Sequence, residues 1–355
     1  MRYVVAGPPG HGVVVHATRL ALANPELRAA TVTLAAAESG RTPPGLDTAV
    51  GEGTTAMLHV TDRLFGASPE EAAAVISRLA DRSTLVLSLH DVPQPAEGAD
   101  WYARRRRAYA QIAAAASRLV VSSASETDLL AACLSPADRP ATARRTTIIP
   151  LPVERRAPVT GVRDPRSDRD DRSDEGERAV PHARDLAILG FLYPGKGVED
   201  AIDVAAAMNA SGREVTVTNY GATAEGHADH AQSLVRYASA AGVRFRVTGY
   251  LSDADLQAAV CAADVPLAPH RHISASGSLN TWIESGRRAL VRRSPFVAEL
   301  ERRLPGVVTP VDDLTAAVRA ALADPASTWV ADDAVVGPSW AEAAAAHVAV
   351  LRGVS

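Results

Sequence analysis

Twice along this 355-residue chain, short apolar runs of strand length alternate with segments of helix length. Such alternation closes most readily as parallel βαβ units, with helices covering both faces of a sheet. The first array offers RYVVA (2–6), TVTLA (31–35), MLHVT (57–61), TLVLSL (84–89), RLVVS (118–122) and TTIIP (146–150) as strands. Helices fill the gaps, for example 70–80 and 104–116. The second array offers LAILGF (186–191), EVTVTNYG (214–221), RFRVTGY (244–250), VPLAP (265–269), ALVRR (289–293) and GVVTP (306–310). Ser123 with Glu126, and Ser252 with Asp255, supply helix caps. The fold class predicted is α/β: two Rossmann-like βαβ domains, 1–156 and 184–334, facing each other across a cleft. A chain of this length supports two buried cores. The segment 335–355 carries a last amphipathic helix, 339–353.

Between the arrays, 157–183 holds almost no large apolar side chain and many charges of both signs, the composition of a flexible linker. A net charge of −4 argues against bulk nucleic-acid binding. No apolar run approaches the roughly 18 residues of a membrane span, so at most peripheral membrane contact is expected. The start, MRYVVAGPPGHG, reads as a strand and loop rather than a signal segment. Cys133 and Cys261 share no CxxC spacing and read as reduced residues of a cytoplasmic protein.

Ligands of open α/β sheets bind outside the carboxyl ends of strands, and four segments lie there. In GPPGHGVVVHA (7–17), Gly10 and Gly12 permit a ligand close to backbone amides. The segment matches neither G-x-G-x-x-G nor the P-loop pattern, which weakens the dehydrogenase and NTPase readings. SLHDVPQ (88–94) places His90 and Asp91 at the end of an apolar strand, as a polar pair for a cleft or as a cap with a bystander histidine. GFLYPGKGVEDAI (190–202) holds Lys196 between Gly195 and Gly197, at the start of a helix. Of the 37 lysines and arginines it is the one lysine, and arginine does not imitate a compact ammonium between close backbones. Ammonium and helix dipole together suit a diphosphate; the alternative is a solvated charge. APHRHISASGSLNTWIESG (268–286) offers small hydroxylated residues before a helix carrying Glu284, either a second anion-binding face or an ordinary serine cap.

Together these residues resemble the retaining GT-B-fold NDP-sugar glycosyltransferases, the group that includes bacterial mannosyl- and glucosyltransferases. The resemblance is carried by GFLYPGKG (190–197), VTGYLSDADL (247–256), AADVPLAP (262–269) and SGSLNTWIESG (276–286). Support comes from GHGV (10–13), HVTDRL (59–64) and LHDVPQ (89–94). It implies that Lys196 contacts the donor diphosphate beside Gly195, and that Glu284 accepts the ribose hydroxyls. It further implies that Gly277, Ser278 and Leu279 offer amides to phosphate, with Gly12 beneath the phosphates, Tyr250 near the base and His90 facing the sugar. The closing helix resembles the segment that crosses back onto the N-terminal domain in such folds.

Two positions depart from the family pattern. Ser276 stands where many relatives place an acidic residue, and Phe191 where an arginine is common; Arg271 is the expected replacement charge. The implied enzyme is a metal-independent hexosyltransferase using a UDP- or GDP-sugar as co-substrate, with no other cofactor. Lys196, Arg271 and a helix N-terminus would stabilise the leaving diphosphate, and His90 would orient the sugar. A small-molecule, lipid or glycan acceptor would meet Asp62 and Arg63, with the run Arg104–Arg107 either a solvated face or a site for an anionic acceptor. The alternatives are a non-catalytic nucleotide-sugar-binding or regulatory homologue, and a sugar-nucleotide epimerase. No metal site is expected, because no carboxylate cluster is legible.

Overall fold

Each apolar run folds as a strand because its branched and aliphatic side chains can be buried on both faces of a parallel sheet. The computed structural model describes residues 1–36, 38–156 and 183–354. The segment expected to be a linker, 157–183, lies outside these residues except for Ala183.

In chain order the described strands are β1 (Arg2–Gly7), β2 (Thr31–Ala35), β3 (Thr55–Val60), β4 (Thr84–Leu89), β5 (Arg118–Val121) and β6 (Thr146–Ile148). They continue as β7 (Arg184–Leu189), β8 (Val215–Tyr220), β9 (Phe245–Val247), β10 (Val265–Ala268), β11 (Leu290–Arg292) and β12 (Thr309–Val311). The chain divides into two units. The first comprises Met1–Glu154 with the chain from Gly337 onward; the second runs from Arg155 to Val336.

The sheet of the first unit has the order β2-β1-β3-β4-β5-β6, and that of the second β12-β11-β10-β7-β8-β9. Every strand pair is parallel. The chain therefore reverses its direction of growth between β1 and β3 in one sheet, and between β7 and β10 in the other. At such switch points neighbouring loops diverge to opposite faces and leave a crevice.

Central strands are sealed on both faces: Met57 and Leu58 of β3, and Leu85, Val86 and Leu87 of β4, are fully buried. Each such side chain contributes roughly 1.5–3 kcal/mol of transfer free energy. The closing helix Trp340–Arg352 starts with a capping box between Ser339 and Glu342. It buries Ala343, Ala344, His347, Val348 and Leu351 in the core of the first unit, against the helix Gly12–Ala23. The i, i+4 spacing of that face is the reason a segment so late in the sequence completes the first core. Both cysteines are free; Cys133 is buried and Cys261 partly so. Among the described residues, no helix is long and apolar enough to cross a membrane.

Candidate functional site

In the second unit the switch point brings together the loop after β7 and the helix Gly277–Glu284 that follows β10. Gly197 makes this possible. Its φ is +82°, and a Cβ there would lie 2.1 Å from the Pro269 carbonyl oxygen, so only glycine lets the two loops approach. The Arg271 amide donates to the Gly195 carbonyl at 3.0 Å, tying the loops together. Lys196 is 2 % exposed, and its Nζ donates to Ser278 Oγ at 3.4 Å. The Tyr193 ring lies beneath the ammonium, 5.6 Å from centroid to Nζ. Among the described residues no carboxylate reaches Nζ, and burial pushes the ammonium down to about 7. An ammonium so placed is short of counter-charge, and a bound anion would supply it.

Ser276 caps the helix: its Oγ accepts from the Leu279 amide at 3.1 Å and lies 3.0 Å from Ser278 Oγ. The Leu279 amide is thus engaged by the cap, and the Gly277 and Ser278 amides at the first turn are those placed to face an anion. Glu284 is buried, and its carboxylate accepts from Arg156 Nε at 3.2 Å while its carbonyl accepts from the Arg156 amide at 2.7 Å. Arg271 is half exposed and pairs with Asp200 at 3.4 Å, an aspartate also held by Arg292 at 2.9 Å. Tyr250 is 85 % exposed, and Phe191 projects to solvent as well.

Three residues at this site were not singled out from the sequence. Tyr193 lies inside a quoted motif but has no motif role of its own. Arg156 stands 128 residues from its partner Glu284, so nothing local signals the pairing. His270 is buried, its Nδ1 has no hydrogen-bond partner, and burial followed by the nearby Lys196 charge pushes it to about 3.

The first unit positions the remaining candidates. Gly10 and Gly12 are exposed at the start of the helix Gly12–Ala23, whose cap is the His11 ring: Nδ1 accepts from the Val13 amide at 3.2 Å. Burial and then the Arg63 charge lower the His11 pKa. Arg63 is exposed, but Asp62 does not project toward a ligand. Its carboxylate is buried and accepts from Arg105 Nε at 3.1 Å and from the same guanidinium at 3.2 Å. Arg105 also bonds the Glu97 carboxylate at 2.7 Å and the Asp91 carbonyl at 2.7 Å. The arginine run is therefore not uniformly solvated: Arg104 pairs with Glu70 on the surface, while Arg105 is 4 % exposed. Among the described residues Asp91 is the one non-glycine with positive φ, +56°, held by that carbonyl bond. His90 is partly buried, and its Nε2 lies 3.0 Å from His59 Nδ1, which leaves Nδ1 as the nitrogen for a ligand.

No protein-family model matches the chain, and neither does any curated protein. Among solved structures it is similar to Anabaena HepE in complex with UDP-glucose, at 16% identity and a TM-score of 0.66, over 99% of this chain and 97% of that one. It is similar also to sucrose-phosphate synthase from Thermosynechococcus elongatus, at 13% identity and a TM-score of 0.60, over 100% and 97% of the two chains. The fold is GT-B-like. In each Rossmann-like unit the switch point carries part of the residues described above: Gly10, Gly12 and Arg63 in the first, Lys196 and the helix Gly277–Glu284 in the second. HepE has also been solved with UDP, at 15% identity and a TM-score of 0.61, over 100% of this chain and 98% of that one.

Proposed function

We propose that this protein is a glycosyltransferase that moves a hexose from a nucleotide diphosphate donor to an acceptor hydroxyl, with retention of anomeric configuration. The observation that carries the reading is Lys196: the one lysine of the chain, buried beside Ser278 Oγ with no anionic partner among the described residues. The complexes of HepE with UDP and UDP-glucose support a uridine donor.

Departure of a diphosphate from a sugar leaves negative charge on the phosphate and positive charge on the anomeric carbon. Lys196 and the Gly277 and Ser278 amides meet the phosphate, with Arg271, paired with Asp200, as a second cation. Each preorganised donor of this kind is worth roughly 3–4 kcal/mol of barrier. These cations supply the leaving-group charge, so the diphosphate itself needs no metal. Glu284, oriented by Arg156, accepts the ribose hydroxyls, and Tyr250 lies against the base. Gly10 and Gly12 leave backbone amides of the β1 loop open to a ligand, and His90 Nδ1 orients the sugar. Arg63 faces a small-molecule, lipid or glycan acceptor, with Asp62 acting only through its loop.

A second reading, a binding or regulatory homologue without turnover, is favoured by Ser276, whose hydroxyl is spent on the helix cap. A thermal-shift screen against UDP, GDP, ADP and their sugar derivatives tests donor binding. A ligand at 100-fold over Kd adds about 2.7 kcal/mol to the native state. A shift selective for one base, lost in Lys196→Ala, is the expected result; no shift with any nucleotide contradicts both readings. Release of UDP from UDP-sugar, lost in the same variant, separates the enzyme from the binding homologue.

A further inference from the structure

Four histidines from four separate stretches converge within the first unit: His16 on the helix Gly12–Ala23, His59 in β3, His90 after β4, and His347 on the closing helix. His59 and His347 are buried, His16 and His90 partly so. The His59 ring stacks on those of His90 and His347, with centroids 5.2 and 5.7 Å apart, and His16 meets His59 and His90 edge-on. One ring nitrogen each of His16, His59 and His90 lies within 4.8 Å of the others. His16, His90 and His347 line a cavity of about 10 Å³, the room one water-sized occupant needs.

The hydrogen bonds fix which nitrogens carry lone pairs. Tyr3 has one hydroxyl hydrogen and gives it to the Ala17 carbonyl at 3.0 Å. Its oxygen must therefore accept from His59 Nε2, 2.8 Å away, which leaves His59 Nδ1 bare and facing His90 Nε2 at 3.0 Å. His347 donates Nδ1–H to the Ala343 carbonyl at 2.8 Å, so its Nε2 is also bare, and that buried atom has no hydrogen-bond partner. Burial holds all four imidazoles below their ordinary range, and hence neutral near pH 7.

We propose that His16, His59 and His90 form a binding site for one divalent transition-metal ion of the zinc, nickel or copper class, with the His347 Nε2 lone pair beside it. Neutral imidazoles suit these ions, and nitrogens about 2.0–2.1 Å from a tetrahedral zinc stand roughly 3.3 Å apart. The His59–His90 pair, 3.0 Å apart, is close to that spacing once the proton that His90 Nε2 gives to His59 Nδ1 moves to His90 Nδ1, and rotation of the His16 ring closes the rest. Tyr3 is the outer partner that a metal-bound imidazole calls for on its far nitrogen. A purely hydrogen-bonded cluster accounts for the His59–His90 contact but leaves His347 Nε2 unanswered. The site lies wholly in the first unit and does not rest on the donor-binding reading; it shares only His90, through the other ring nitrogen.

The test uses the full chain, stripped with chelator and then dialysed against zinc or cobalt(II) chloride. The expected result is about one bound zinc per chain, and a cobalt form with the intense visible bands of a four-coordinate ion. His16→Gln and His59→Gln lose this binding, and Tyr3→Phe weakens it about 10–100-fold. The double variant His227→Gln/His230→Gln, in the second unit, keeps it. Zinc-edge X-ray absorption of the unmutated protein needs no variant to fold, and at least three imidazole ligands at about 2.0 Å are expected. Failure to retain a stoichiometric ion, binding unchanged in His16→Gln, or an absorption spectrum with fewer than three imidazoles overturns the proposal.

Discussion

Lys196 is costly before any ligand arrives, because a buried ammonium loses hydration that Ser278 alone does not replace. Its pKa falls from 10.5 to about 7, so the unfolded chain binds more protons than the folded one between those values. Stability therefore rises with pH across that window, and the full cost is felt below it. Denaturant unfolding of the ligand-free protein should show this rise from pH 7 to 10, and Lys196→Met should abolish it while melting no lower than the parent at pH 7. Arg105 behaves in the opposite way. Removing it strands the buried Asp62 carboxylate, and Arg105→Met should cost about 3–5 kcal/mol in the same measurement. The importance of Lys196 was legible because a lone lysine between glycines stands out in composition. That of Arg105 was not, because four successive arginines show no period, and Asp62, 43 residues away, decides which one is buried.

At the scale of elements, the site depends on how closely the loops after β7 and β10 approach. Gly197→Ala places a methyl group against a backbone oxygen at an unfavourable φ, and that oxygen cannot swing aside. Such overpacking costs about 1–3 kcal/mol, so the variant should melt lower and lose its nucleotide-dependent thermal shift. Elements were the most legible level, since strands and caps are set by local chemistry. The run 84–89 is β4 residue for residue, and Ser123 and Ser252 cap the helices their spacing predicts. The run GVVTP (306–310) shows the limit, because its strand begins only at Thr309; turn and strand preferences compete there without a periodic cue. The Arg156–Glu284 pair joins two residues 128 positions apart in sequence, a contact no local rule contains.

For the whole molecule, βα alternation was enough for two parallel sheets but not for their strand orders, which long-range packing decides. The same packing gathers the four histidines, whose wide spacing hid them in the sequence. They are neutral when folded and take protons when unfolded, so their contribution to stability is present above about pH 6.5 and is lost as pH falls below it. Each contributes up to about 1.4 kcal/mol per pH unit, and His347→Leu should flatten the acid limb of the stability curve.

The most direct test is calorimetric binding of UDP-glucose near pH 8 and near pH 6, in buffers of different ionisation enthalpy. The ligand has no proton to exchange in this range. With Lys196 titrating near 7 when free, roughly nine-tenths of it is neutral at pH 8, and the diphosphate restores its charge. Uptake of most of a proton at pH 8, falling to little at pH 6, is the predicted result. Binding with no proton uptake at either pH would contradict the placement of Lys196 against the donor diphosphate.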